Sequence, residues 1–170
     1  MGTPAYVVPN VPLIPQDKGM ACWYASTQML VQWRREKTQS TEMSVPDPSD
    51  VPSAVAIYKG NNGLPFADFI RYSRSMGLTP VPGQTPTLDL IGSWLANYGP
   101  IWAAGYKVTP TTSYGHVFVI AGVADKQLYI HDPEPMNVGT KQWVAEDWLT
   151  SLLDIGRFAA VTTNFLYIPA

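Results

Sequence analysis

The sequence predicts an α+β fold: an N-terminal helical half, about 15–98, packed on a C-terminal and mostly antiparallel sheet half, about 99–170. Three observations predict it. The stretch ACWYASTQMLVQWRRE, 21–36, repeats its apolar residues at helical spacing. After Gly99 the texture changes to runs of β-branched and aromatic residues bounded by glycine, proline and aspartate. The hydrophobic fraction is 46% and the charged fraction 14%, enough apolar material in 170 residues for one domain with a substantial core.

Four of the 16 prolines fall in residues 1–15 and confine them to an extended lead-in, with Tyr6–Val8 and Val11–Ile14 as short edge strands. In 21–36, Cys22, Ala25, Met29 and Trp33 form one apolar stripe, while Ser26, Gln28, Gln32 and Arg35 fall largely elsewhere. Thr38–Pro65 is polar and rich in proline and glycine, a surface excursion with one helical turn near Ala54–Tyr58. Residues 65–76 and 86–98 read as helices, the first stopped by Gly77 and the second opened by Pro86 and stopped by Gly99. IWAAGYKV, GHVFVIAGVA and QLYIHDP read as strands, 143–153 as a short helix, and Phe158–Ile168 as a final strand or strand pair. Helices first and strands afterwards give an α+β layout, with a groove expected between the halves.

Charge and composition exclude several function classes. A net charge of −2 gives no basic footprint, so neither nucleic acid nor an anionic membrane is expected as a partner. No apolar run is long enough to span a bilayer. The N-terminus lacks a basic region followed by a long apolar core, so no Sec signal peptide is expected. One cysteine permits no intramolecular disulfide, and with two histidines it leaves little for a transition-metal site, so no cofactor or metal is expected.

That cysteine stands in PQDKGMACWYAST, 15–27. Lone thiols are commonly buried and inert. Cys22, however, falls in the first turn of the predicted helix, where unsatisfied backbone N–H groups and the positive end of the helix dipole stabilise an anion. The thiolate is the nucleophilic form. The apolar stripe would aim it into the groove. A cysteine nucleophile needs a base that can also protonate a leaving group, and histidine suits that role near neutral pH. His116 opens the strand GHVFVIAGVA, and Asp132 closes QLYIHD. Folding 116–132 as a hairpin about residue 124 sets His116 opposite Asp132, to within a residue or two of slippage, which supplies an orienter for the ring. Alternation sends His131 to the other face, as a structural or surface residue. Gln16, six residues before Cys22, can fold back beside the helix start and donate to an oxyanion together with the Cys22 N–H. Taken singly, each residue has an ordinary reading: a strand-end histidine, an Asp-Pro turn, a solvated loop glutamine.

Taken together, Gln16, Cys22-Trp23, Gly115-His116 and Asp132-Pro133 resemble the papain-like cysteine peptidases. Within them the chain is most similar to compact bacterial kinds, the double-glycine leader peptidases and the papain-like effector peptidases. The likeness covers about 15–36 and 98–135; residues 37–97 match only in being helical. Plant papain differs in having Asn as the third catalytic residue and a longer cysteine-to-histidine spacing, roughly 130 residues against 94 here. The resemblance implies a papain-like fold and a cysteine endopeptidase with Cys22 as nucleophile, His116 as acid/base, Asp132 as orienter and Gln16 as oxyanion donor. It also implies a protein or peptide substrate, a bacterial effector or toxin role in a target cell reached through a specialised secretion system, and a cognate immunity or inhibitor protein. Two other readings share the residues. One is different acyl-transfer chemistry on the same triad (deamidase, transglutaminase-like enzyme or cell-wall-peptide amidase); the other is a catalytically silent binding module.

Overall fold

A computed structural model describes residues 2–38, 57–63, 77–81, 86–108, 110–111, 113–147 and 165–169. Its elements in chain order are β1 (Tyr6–Val7), α1 (Cys22–Thr38), β2 (Thr79–Pro80), α2 (Leu88–Tyr98), β3 (Ile101–Val108), β4 (Ser113–Ala124), β5 (Gln127–Asp132), β6 (Thr140–Ala145) and β7 (Phe165–Tyr167). The strands form one antiparallel sheet in the order β2-β7-β3-β4-β5-β6, and β1 adds to β4 beyond the end of β3. The fold is α+β, with the long helix N-terminal to the sheet's central strands. Among the described residues no helix is long and apolar enough to cross a membrane.

Helix α1 is more deeply buried than its stripe alone requires. Cys22, Ala25, Met29 and Trp33 are buried, but so are Trp23, Tyr24, Leu30 and Val31. Ser26 and Thr27, on the side expected to be polar, have no exposed surface. Thr27 meets this by donating its hydroxyl to Trp23 O at 2.9 Å, one turn back. The helix is tied to the sheet through Trp102, whose indole N–H donates to Trp23 O at 3.1 Å. Helix α2 begins at Leu88, capped by Thr87, whose hydroxyl accepts from Leu90 N at 3.1 Å. Pro86 therefore lies just before the cap and not in the first turn. Gly99 ends α2 at φ 87°, and a Cβ there would run into the Trp33 ring, so glycine lets the two helix ends meet. Trp94 of α2 packs on Phe165 of β7 with ring centroids 5.2 Å apart.

Two expectations need correcting. Val11–Ile14 is not a strand: Pro12 and Pro15 remove amide donors, and the Pro12 carbonyl is instead taken by His131. Residues 143–145 are not helical but the end of β6, held by the β5 ladder and by Trp143 against Tyr129 at 5.1 Å; a helical turn starts only at Glu146. The described part of the surface excursion, 57–63, packs on the first turn of α1, with Tyr58 edge-on to Tyr24 at 4.9 Å. The helix expected over 65–76 lies outside the described residues, as do the turn at 54–56 and the first part of the final strand.

The central hairpin carries the site. Its loop is Asp125-Lys126, with Lys126 at φ 60° and Ala124 paired to Gln127. The register shifts between Ile120 and Gly122, leaving Ala121 as a bulge. Beyond it the pairs are Ile120–Ile130 and Val119–His131. Continued past β5, that count sets Glu134, not Asp132, level with His116.

Candidate active site

The position of Cys22 is fixed from the loop upward. Gln16 pairs its backbone with the segment after β5: its N–H donates to Pro133 O at 3.0 Å, and its carbonyl accepts from Asn137 N at 2.8 Å. Its side-chain amide, buried, donates to Lys18 O at 2.9 Å and Gly19 O at 2.7 Å. The loop then turns through Ala21 N to Lys18 O. Asn61 steadies it by accepting from Met20 N at 2.8 Å. Ala21 O accepts from Ala25 N, so Cys22 is the first residue of α1, among the orphan amides of the helix start.

Cys22 Sγ accepts a hydrogen bond from Val117 N at 3.4 Å. Val117 lies past the last paired residues of the β4–β5 ladder, which leaves its amide for the sulfur. The neighbouring His116 is held by two carboxylates. Its Nε2 is 2.7 Å from Asp132 Oδ1 and its Nδ1 is 2.9 Å from Glu134 Oε1. Asp132 reaches His116 diagonally, two residues from the level position, and is itself fixed because the same Oδ1 accepts from Glu134 N at 2.9 Å. Burial pushes the His116 pKa down; hydrogen bonds to Asp132, Cys22 and Glu134 outweigh it and hold the value well above the ordinary one. The ring is therefore a charged donor lying against a sulfur and two carboxylates. Tyr114, edge-on to His116 at 6.0 Å, donates its hydroxyl to Glu134, 3.0 Å from each oxygen. Its own pKa is raised, first by burial and then by that carboxylate.

The structure thus gathers Cys22, His116 and Asp132, with the Gln16 backbone one hydrogen bond from the residue after Asp132. The Gln16 side chain is placed differently from the expectation. Both of its N–H bonds go to loop carbonyls, and its Oε1 is buried with no partner among the described residues. To serve an oxyanion, the amide must exchange one loop carbonyl for it. His131 pairs with Val119, three positions from His116, and so faces away from it. It is buried, with Nδ1 3.0 Å from Pro12 O. Sequence reasoning missed Glu134, Tyr114 and Asn61. Strand parity from Asp132 through DPEP was the available signal for Glu134; Asn61 had none, because its contact spans 41 positions.

Among the described residues, His116, Asp132 and Glu134 are the one acid/histidine group close enough to surround an ion. Each carboxylate already holds a different ring nitrogen, and the two nitrogens point apart, so one ion cannot replace both contacts. That arrangement suits proton transfer. A cavity of about 550 Å³ lies elsewhere, beside Trp33, Arg34, Tyr98 and Tyr167. Trp33 is eleven residues along α1 from Cys22, about 16 Å of helix, so this cavity takes no part in the cysteine chemistry.

Comparison with known proteins bears on the family and the fold. No curated protein matches the chain. A solved structure described as a C39-like peptidase from Bacillus anthracis superposes with a TM-score of 0.55 at 13% identity, covering 96% of this chain and 98% of that one. This likeness supports the fold. The family model of the papain-like cysteine protease AvrRpt2 matches residues 6–147, which include every residue of the site. The chain belongs to that family of papain-like cysteine proteases and is a cysteine peptidase.

Proposed function

We propose that the protein is an endopeptidase working through Cys22, His116 and Asp132, with Gln16 assisting at the oxyanion, and that it acts as a bacterial effector or toxin domain on specific proteins of a target cell. The observation that carries the catalytic reading is the buried His116 ring, bonded through Nε2 to Asp132 at 2.7 Å beside the Cys22 sulfur. Cys22 Sγ, as thiolate, attacks the scissile carbonyl carbon. The carbonyl oxygen takes the negative charge and receives hydrogen bonds from the Cys22 N–H and from Gln16 once its amide lets go of a loop carbonyl. His116 gives its Nδ1 proton to the leaving nitrogen, the C–N bond breaks, and an acyl-thioester remains. The neutral ring then takes a proton from water, whose oxygen attacks the thioester carbon; the C–S bond breaks, the acyl group leaves as a carboxylic acid, and the Cys22 thiolate and the charged His116 are restored. Asp132 keeps Nε2–H engaged throughout, so Nδ1 stays on the reacting side.

The effector reading rests on the resemblance of 15–36 and 98–135 to compact bacterial effector peptidases. A neutralising partner protein and delivery through a specialised secretion system belong to the same reading. The test is incubation of target-cell lysate with wild type and with Cys22→Ala, followed by mass spectrometry of new N-termini. Cleavage at a small set of bonds, absent with the variant, is the expected result. A one-unit mass gain on glutamine without new N-termini would instead assign deamidation to the triad. No cysteine-dependent change of either kind would point to a silent binding module.

A further inference from the structure

We propose that Glu134, latched by Tyr114, is a positioning residue that holds the Nδ1–H of His116 at the place the leaving nitrogen of a substrate will occupy. The inference rests on the reading of His116 as the acid/base. Three groups face this ring from three parts of the fold: Cys22 from the start of α1, Asp132 from the end of β5, and Glu134 from the segment after it. Asp132 takes Nε2, which leaves Nδ1 as the one nitrogen able to exchange a proton with the thiol and then with the leaving group. A leaving nitrogen must come within hydrogen-bond reach of that hydrogen, about 3 Å. Glu134 Oε1 already sits there, at 2.9 Å.

The carboxylate is held in place from several directions. Its oxygens are bridged by the Tyr114 hydroxyl, its amide is bonded to Asp132 Oδ1, and its carbonyl accepts from Thr140 Oγ1 at 3.0 Å. A glutamate that only decorated the rim would not need this bracing. The side chain is 24% exposed while the ring it touches is 1% exposed. The carboxylate is therefore the more exposed of the two groups, and Nδ1 is the ring nitrogen next to this partly exposed partner. In the resting site it keeps the ring from turning Nδ1 away and supplies a second negative neighbour to the ring's charged form. When a peptide docks, its nitrogen replaces the carboxylate as the acceptor of the Nδ1 hydrogen.

Glu134→Gln separates charge from shape, because the amide oxygen can still accept from Nδ1–H. The alkaline limb of kcat/KM, where His116 loses its proton, should move down by about one pH unit, the low end for losing a nearby opposite charge at a partly exposed position. The shift of the limb, and not the plateau rate, is the readout that a merely structural role would not move. Glu134→Ala should lower kcat as well, and Tyr114→Phe should move the limb in the same direction by less. The titration of His116 read by NMR gives the same shift without relying on turnover, and it is readily assigned because the chain has two histidines. An unmoved limb and an unmoved NMR titration in Glu134→Gln would overturn the proposal. So would a rate increase at every pH with no shift, which would make Glu134 a simple obstruction. Activity persisting in His116→Ala would instead defeat the underlying assignment of the acid/base, whatever Glu134 does.

Discussion

His116 Nε2 lies 2.7 Å from Asp132 Oδ1, with both side chains almost wholly buried, and that same oxygen accepts the Glu134 amide. Asp132 is thus immobilised by the backbone before it orients the ring. Asp132→Asn can keep these two hydrogen bonds through its amide oxygen while losing the charge. Asp132→Ala loses the acceptor and strands a buried donor, which costs about 1–3 kcal/mol. The expected order of kcat/KM is wild type, then Asn down by about tenfold, then Ala down by about 10²–10⁴, the span typical of positioned acid–base catalysis. Measured rates in which Asn and Ala fall equally would show that charge, not orientation, is what Asp132 provides.

Cys22 is 8% exposed and is the only cysteine, so alkylation of the native protein has one possible site. Iodoacetamide should label it stoichiometrically and faster than a free peptide thiol, with activity lost in proportion to labelling. Cys22→Ala and Cys22→Ser should both abolish turnover. Removing the sulfur from the core in the Ala variant should cost about 1 kcal/mol, or roughly 2–4 °C in Tm for a chain of this size. Labelling that appears only on denaturation would make Cys22 an inert core residue.

These variants act on residues that were legible in the sequence for a physical reason. A helix start can be recognised from the loop before it and the stripe after it, and a hairpin from its two apolar runs, so Cys22, His116 and Asp132 could be placed near one another from local pattern. Their register could not. The bulge at Ala121 moves the pairing and makes Asp132 a diagonal partner of His116, bringing Glu134 level with it. Nothing in GHVFVIAGVA marks the bulged residue; next to it β1 pairs closely with β4 at Gly122, where a Cβ would lie 2.9 Å from Val7 Cγ2. The strand at 140–145 was hidden for a related reason. Trp143 and Val144 fit either period, and a tertiary partner, β5, decided between them.

Gln16 has two separable duties, and substitution should expose both. In the resting structure its amide braces Lys18 O and Gly19 O ahead of the nucleophile. Gln16→Ala therefore removes two part-buried hydrogen bonds from a largely exposed loop and should lower stability by roughly 1 kcal/mol. If the amide also serves the oxyanion, kcat should fall by about 10²–10³ while KM moves little, as for loss of one transition-state donor. Steady-state kinetics at a temperature well below the variant's Tm distinguishes the two. A lowered Tm with an intact kcat would leave Gln16 as a loop brace and assign the oxyanion to backbone amides alone.

The two histidines should give pH dependences of opposite sign. Burial lowers the His116 pKa, but bonds to Asp132, Cys22 and Glu134 raise it further, and the folded value lies well above the ordinary one. Its contribution to stability is then fully present below about pH 6.5, the unfolded value, and is lost as pH rises through the folded pKa. His131 is the reverse. Burial lowers its pKa, with Lys141 adding to the effect and the Pro12 carbonyl opposing it. Its contribution is present above about pH 6.5 and is lost as pH falls through the depressed folded value, where a buried ring must take up charge. Urea denaturation across the pH range, read as the difference between wild type and each variant, tests this. Against His116→Asn, the wild type should lose its advantage on the alkaline side; against His131→Asn, which keeps a donor for Pro12 O, it should lose it on the acid side. Two differences with the same slope would contradict the environments assigned to these rings.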